Sequence, residues 1–143
     1  MNSQIKKITA LILLLVVCIS VLVLPVYAEN PTKSKYYNSV ATTVGVVSGV
    51  LNIHNRYTIL VDSGFTSAEI QTYVERKAFG LIWVKVDNGQ PNKTWVDTST
   101  STNYSKNYTL TLPQTGTYRV TAKYTFYGSH GSESITRQAT VTY

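Results

Sequence analysis

Residues 112–120 read Leu112-Pro113-Gln114-Thr115-Gly116-Thr117-Tyr118-Arg119-Val120, and two readings of them lead to different molecules. Leu112 to Gly116 spell L-P-x-T-G, the pattern of a cell-wall sorting signal, under which everything beyond Gly116 is a tail to be removed. Such a tail needs a continuous apolar stretch of membrane length and then a basic cluster. The chain alternates instead. Tyr118, Val120, Ala122, Tyr124 and Phe126 fall on one face, and Arg119, Thr121, Lys123, Thr125 and Tyr127 on the other, which is the period of a strand buried on one side. Arg119, Lys123, Glu133 and Arg137 also break any span of ~20 apolar residues. Pro113 and Gly116 therefore read as a turn between two strands, and cutting it would strip strands from a sheet and bare its edges.

Outward from this turn the same β texture continues. Thr, Val, Tyr and Ile dominate, and the one stretch with a helical look, Thr66 to Gly80, alternates at Ile70, Thr72 and Val74 and reads as a strand. Strands are expected at Val47 to Ile53, Tyr57 to Asp62, Ile70 to Lys77, Leu81 to Val86, Tyr108 to Leu112, Thr117 to Tyr127 and Ser134 to Tyr143, with Thr94 to Asp97 as a short extra. The intervening His54-Asn55, Asp62-Ser63-Gly64, Phe79-Gly80, Asp87 to Asn92 and Gly128 to Ser132 carry turn residues. About seven short strands at this spacing predict an all-β antiparallel sandwich over residues 42–143. Residues 29–41 lack apolar periodicity and read as a linker.

In immunoglobulin-like sandwiches a tyrosine opens strand F, and its hydroxyl bonds to backbone just upstream. Here Gly116 makes the corner, Tyr118 takes the tyrosine's place, and Val120 stands where antibodies carry a cysteine. On Gly-Thr-Tyr-Arg-Val-Thr-Ala-Lys-Tyr-Thr-Phe-Tyr (116–127), the Ser-Glu-Ser of 132–134, and Tyr73-Val74-Glu75-Arg76-Lys77 with Trp83 to Val86, the chain resembles small secreted proteins of Gram-positive bacteria. The resemblance spans roughly residues 50–143. It implies an immunoglobulin or fibronectin type III-like fold and no cofactor, activity or catalytic residue. The chain departs from true immunoglobulin domains in lacking both core cysteines and in placing Trp83 in the fourth expected strand.

The start of the chain sets the compartment. Lys6 and Lys7 precede an apolar run from Ile8 to Leu24, and Val26 and Ala28 stand at the −3 and −1 positions of a cleavage site, the anatomy of a signal peptide over residues 1–28. An uncleaved anchor is the competing reading, and Pro25 with the Val-Tyr-Ala site favours cleavage. Cys18, the one cysteine, lies inside the apolar run, so a mature chain from Glu29 has neither disulfide nor thiol nucleophile. That chain keeps 11 Lys and Arg against 7 Asp and Glu, a net charge of +4. Such a balance suits retention on anionic surfaces and is equally an ordinary solubility charge.

Catalytic and metal patterns are missing. His54 and His130 are expected on turns, no pair has H-x-x-x-H or calcium-loop spacing, and G-x-S-x-G does not occur. A carboxylate pair such as Glu75 and Asp87 has too small a scaffold for a glycosidase cleft. Metal and cofactor are accordingly not expected, nor is nucleic-acid binding in an exported chain of modest charge. One constellation stands out. With Ile70, Thr72, Val74, Ile82, Val84, Val86, Tyr118, Val120, Ala122 and Tyr124 inward, Tyr73, Trp83, Lys85, Arg119 and Lys123 should share one outward sheet face. Aromatic rings among cations suit an anionic cell-wall polymer, a carbohydrate or a protein; an ordinary solvated face is the alternative. The sequence thus predicts a secreted, non-enzymatic binding or structural module of the bacterial envelope, without a membrane-spanning segment in its mature form. A small antimicrobial or toxin-like effector is the second reading, and an enzyme with an unrecognised site the third.

Overall fold

A computed structural model describes residues 33–143; the expected signal peptide and residues 29–32 lie outside them. Eight antiparallel strands form two sheets: β1 (Tyr37–Val47), β2 (Val50–Ile59), β3 (Phe65–Ala78), β4 (Ile82–Lys85), β5 (Trp95–Ser99), β6 (Asn103–Thr111), β7 (Thr117–Gly128) and β8 (Gly131–Thr142). One sheet runs β1-β2-β6. The other runs β4-β3-β7-β8, with β5 pairing beside β4 on the same edge of the long β3. The all-β class follows from the alternation of β3 and β7, whose inward residues Ile70, Val74, Val120, Tyr124 and Phe126 are fully buried.

Two apolar clusters join the sheets. Tyr36, Val40 and Tyr57 pack on Ala68, Ile70, Ala122, Tyr124 and Phe126, while Leu51, Ile53 and Tyr108 pack on Val74, Tyr118 and Val120. Between them sits a buried polar bridge. The Asn55 amide donates to Thr72 Oγ1 (2.7 Å) and accepts from Thr42 Oγ1 (2.9 Å), and Thr42 Oγ1 lies 2.8 Å from the Tyr124 hydroxyl. Residues 33–143 form one compact unit, and both clusters described lie within it.

Three expectations change. His54 and Asn55 do not turn the chain but lie within β2, because Asn55, a common turn residue, is satisfied in the interior by Thr42 and Thr72. The reversal comes at Ser48-Gly49, both with positive φ (49° and 78°), the two-residue turn that matches strand twist. The two strands expected on either side of His54-Asn55 become the single β2, and with β1 before it and the expected short extra at β5 the total is eight. The linker expected over 29–41 gives way to β1 from Tyr37, because Tyr36 is buried and its hydroxyl donates to the Gly131 carbonyl (3.0 Å) while accepting from the His130 N–H (2.9 Å). Finally, Ile82 and Val84 face the inner side of their sheet yet stay 56 % and 48 % exposed. The outermost strand of the three-stranded sheet, β6, packs on β5 through the Trp95–Tyr108 stack, and β4 is left without cover.

The turn at residues 112–116 behaves as the alternation required. Leu112 is buried, and Gly116 exchanges two backbone hydrogen bonds with Tyr143 (2.9 and 3.0 Å), so the residue after Thr115 is tied to the sheet just before β7 begins. The Tyr118 ring is fully buried, and its hydroxyl donates to the Gln114 carbonyl at 2.6 Å. Tyr118→Phe keeps the ring and orphans that carbonyl. Chemical denaturation should show a loss of about 1 kcal/mol or more, and an unchanged midpoint would mean the bond contributes nothing to the corner.

Candidate functional site

Register brings the five candidate residues to one face. β3 pairs Glu75 with Arg119, Tyr73 with Thr121 and Gln71 with Lys123 on β7, and on its other side Lys77 with Trp83 and Glu75 with Lys85 on β4. Directly opposed residues point the same way, so Tyr73, Trp83, Lys85, Arg119 and Lys123 all stand on the outer side of the larger sheet. The expected clustering is present.

Its internal contacts are specific. The Arg119 guanidinium lies 4.4 Å from the centroid of the Trp83 ring, with Lys77 Nζ at 5.9 Å, and Lys85 Nζ lies 4.4 Å from the Tyr73 ring. Such cation–aromatic contacts are worth roughly 0.5–1 kcal/mol at exposed sites, enough to fix orientation and too little to make the fold. Glu75 accepts from Arg119 through Nε (3.0 Å) and Nη2 (2.7 Å), which neutralises the arginine and leaves it a platform for Trp83. Lys85 also donates to Thr94 Oγ1 at 3.2 Å. Lys77 and Lys123 remain exposed and give the face its cationic character.

The loop between β4 and β5 extends this surface. Gln71, Lys85, Pro91, Asn92, Thr94 and Val96 line an open hollow of about 440 Å³, and Lys85 joins it to the Tyr73 ring. Sequence reasoning missed it because the loop Asp87 to Lys93 carries no periodicity. The aromatic and cationic groups stand next to amide and hydroxyl groups, an arrangement that can hold a flexible polar polymer by ring contact, hydrogen bonds and charge.

The other candidates disperse. His54 lies in β2 with Nε2 2.9 Å from Ser105 Oγ, while His130 occupies the β7–β8 turn. Glu75 is committed to Arg119, and Asp87 accepts from the Gly89 N–H in its own loop. Among the described residues no group of three or more His, Cys, Asp and Glu side chains could hold a metal ion, and no helix is long and apolar enough to cross a membrane. A further carboxylate lies between the sheets, where Asp97 accepts hydrogen bonds from the hydroxyls of Tyr104 (2.8 Å) and Tyr108. Burial, and then the hydrogen bond to Asp97, push both tyrosines above their ordinary pKa. This group closes the sandwich between β5 and β6.

No protein-family model, no curated protein and no solved structure matches this chain.

Proposed function

We propose that this chain is a secreted, non-enzymatic binding module of the bacterial envelope, with an immunoglobulin or fibronectin type III-like fold. The fold reading is supported by the order β1-β2-β6 against β4-β3-β7-β8, which corresponds to strands A-B-E against C′-C-F-G, and by the Tyr118 corner bond. Secretion rests on the signal-peptide anatomy of residues 1–28, and a Gram-positive source on the resemblance over residues 50–143.

The observation that carries the binding role is the ordered aromatic–cationic face. Trp83 is fixed by Arg119 and Tyr73 by Lys85, so rings and cations are held in place before any partner arrives, which lowers the entropy lost on binding. Exposed Lys77 and Lys123 suit an anionic wall polymer as that partner. Phosphate contacts of this kind weaken as salt shortens the Debye length from ~10 Å at 0.1 M to ~3 Å at 1 M.

Sedimentation with isolated Gram-positive walls tests the reading. The chain from residue 33 to 143 should pellet with walls at low salt and be released at high salt. Lys123→Glu, a change at an exposed position, should weaken retention about tenfold, the effect of exchanging an attractive for a repulsive charge at an anionic surface. Arg119 is the poorer site to reverse, since a glutamate there would face Glu75. Retention indifferent to both salt and Lys123→Glu would refute the polymer assignment.

A further inference from the structure

From Arg76 to Val86 the chain reads Arg-Lys-Ala-Phe-Gly-Leu-Ile-Trp-Val-Lys-Val, and the β3–β4 hairpin projects it as a tip. Phe79 is 93 % exposed and Leu81 82 %, and Ile82 and Val84 are more than or about half exposed on the uncovered side of β4. The turn itself is unfavourable for this residue. Phe79 has φ +52° and Gly80 φ +68°, the central residues of a turn closed by the Leu81 N–H on the Ala78 carbonyl (3.0 Å) within the three-residue connection 79–81; two successive positive φ values normally go to Asn, Asp or Gly, and a bulky side chain in the left-handed region is an outlier. The chain therefore combines strain and apolar exposure in one residue, and nothing within the described fold offsets either.

We propose that this hairpin tip is a membrane-docking element that inserts into the interface of a bilayer containing anionic phospholipid. Apolar side chains occupy the tip and one flank, Trp83 occupies the other, and Lys77 and Lys85 stand behind them on the two strands. No acid lies between Arg76 and Val86. Trp83 and Lys77 are paired one register step behind Ala78 and Ile82, so at ~3.3 Å per strand residue they lie about 7–10 Å from the end of the hairpin. That matches the ~5–10 Å to which interfacial segments bury their apolar groups. Inserted to this depth, Phe79 and Leu81 reach the acyl boundary, the indole sits among the headgroups, and the lysines meet lipid phosphates.

Shape and charge favour lipid over protein. The tip is convex and apolar on more than one side, so a surrounding apolar medium covers it where a flat protein surface would cover one flank. A second copy docking tip to tip would oppose the same lysines. The proposal does not rest on the wall-polymer reading: it shares Lys77, Trp83 and Lys85 with that face, but its test varies none of them.

The test uses residues 33–143 and vesicles of phosphatidylcholine with and without phosphatidylglycerol. Phe79→Asn with Leu81→Ser replaces the apolar tip and relieves the left-handed phenylalanine, so the variant should unfold at the same denaturant concentration as the parent or a higher one. The parent should co-sediment with phosphatidylglycerol vesicles and blue-shift its tryptophan emission. The variant should partition at least about tenfold more weakly, two exposed apolar side chains having been removed, while binding isolated walls as the parent does. Equal partition of parent and variant, partition unaffected by phosphatidylglycerol, or a self-association abolished by the variant in place of lipid binding would each overturn the proposal.

Discussion

Asn55→Ala is expected to destabilise the domain by about 3 kcal/mol, the sum of a small cavity and orphaned hydroxyls in the interior. Asn55 and Thr72 are fully buried, and the amide supplies Thr72 with a donor at 2.7 Å and Thr42 with an acceptor at 2.9 Å. The Tyr124 hydroxyl adjoins Thr42 Oγ1 and also lies 2.9 Å from the Ala41 carbonyl. Two hydroxyl protons, those of Thr42 and Tyr124, thus serve three contacts, and loss of the Asn55 acceptor disturbs all of them. For a domain of this size such a loss lowers the melting temperature by about 10 °C. A shift of only one or two degrees would show that water or rearrangement satisfies the stranded groups.

A second substitution separates the polar bridge from the space it fills. Asn55→Leu with Thr72→Val removes the donor and acceptor of that pair together, and the Thr42 hydroxyl left behind can donate to the Tyr124 oxygen 2.8 Å away while Tyr124 donates to the Ala41 carbonyl; replacing bonded partners with apolar groups of similar shape is close to neutral. Most of the lost stability should return in a double-mutant cycle. What the apolar pair cannot supply is register. β1 and β2 align Thr42 with Asn55, and a slip by one residue would send the amide to the surface and break its bonds.

This bridge also marks where the sequence stops being legible. The strands β3, β7 and β8 are written in their own alternation, and the corner tyrosine in one local spacing, because both signals lie within a few consecutive residues. Asn55 reads as a turn residue when taken alone. Its role depends on Thr42 and Thr72, 13 and 17 residues away, and no local pattern carries such a contact. Residues 33–41 lack a local signal for the same reason, since Tyr36 at the head of β1 is fixed by Gly131 and His130 in the distant β7–β8 turn.

The candidate face was legible because register follows from alternation, and Tyr73, Trp83, Lys85, Arg119 and Lys123 do meet on it. Its neighbour was not. Alternation assigns Ile82 and Val84 to the inside, but whether an inside exists depends on how far the opposing sheet reaches, and three strands do not cover β4. The signal that was available is the unbroken apolar run Ala78 to Val84 around a single glycine. A run of that kind at a hairpin tip has no solvent-facing residues to spare and is a mark of a surface that is used.

Alkali should unfold this domain cooperatively, beginning above about pH 10, where tyrosines of the unfolded chain ionise. Tyr37, Tyr57, Tyr104, Tyr108 and Tyr124 are all held above that value in the folded state, in each case chiefly by burial. For Tyr104 and Tyr108 the hydrogen bond to Asp97 acts in the same direction, because a phenolate would lose that bond and face a carboxylate. The stabilisation from these raised values is complete below the unfolded pKa and is lost as pH climbs toward the folded one. Each tyrosine protonated in the fold and ionised outside it steepens the decline by at most about 1.4 kcal/mol per pH unit, and by less where solvent reaches the hydroxyl. Tyrosinate absorbance and β circular dichroism, followed together through a pH titration, should change in one transition for these residues. Asp97→Asn removes the carboxylate and gives the two hydroxyls a neutral acceptor, so it should lower stability near neutral pH and flatten the alkaline limb. Ionisation of Tyr104 and Tyr108 near pH 10 with the sheets intact would mean that neither burial nor Asp97 holds their protons, and that β5 and β6 are joined by the Trp95–Tyr108 stack instead.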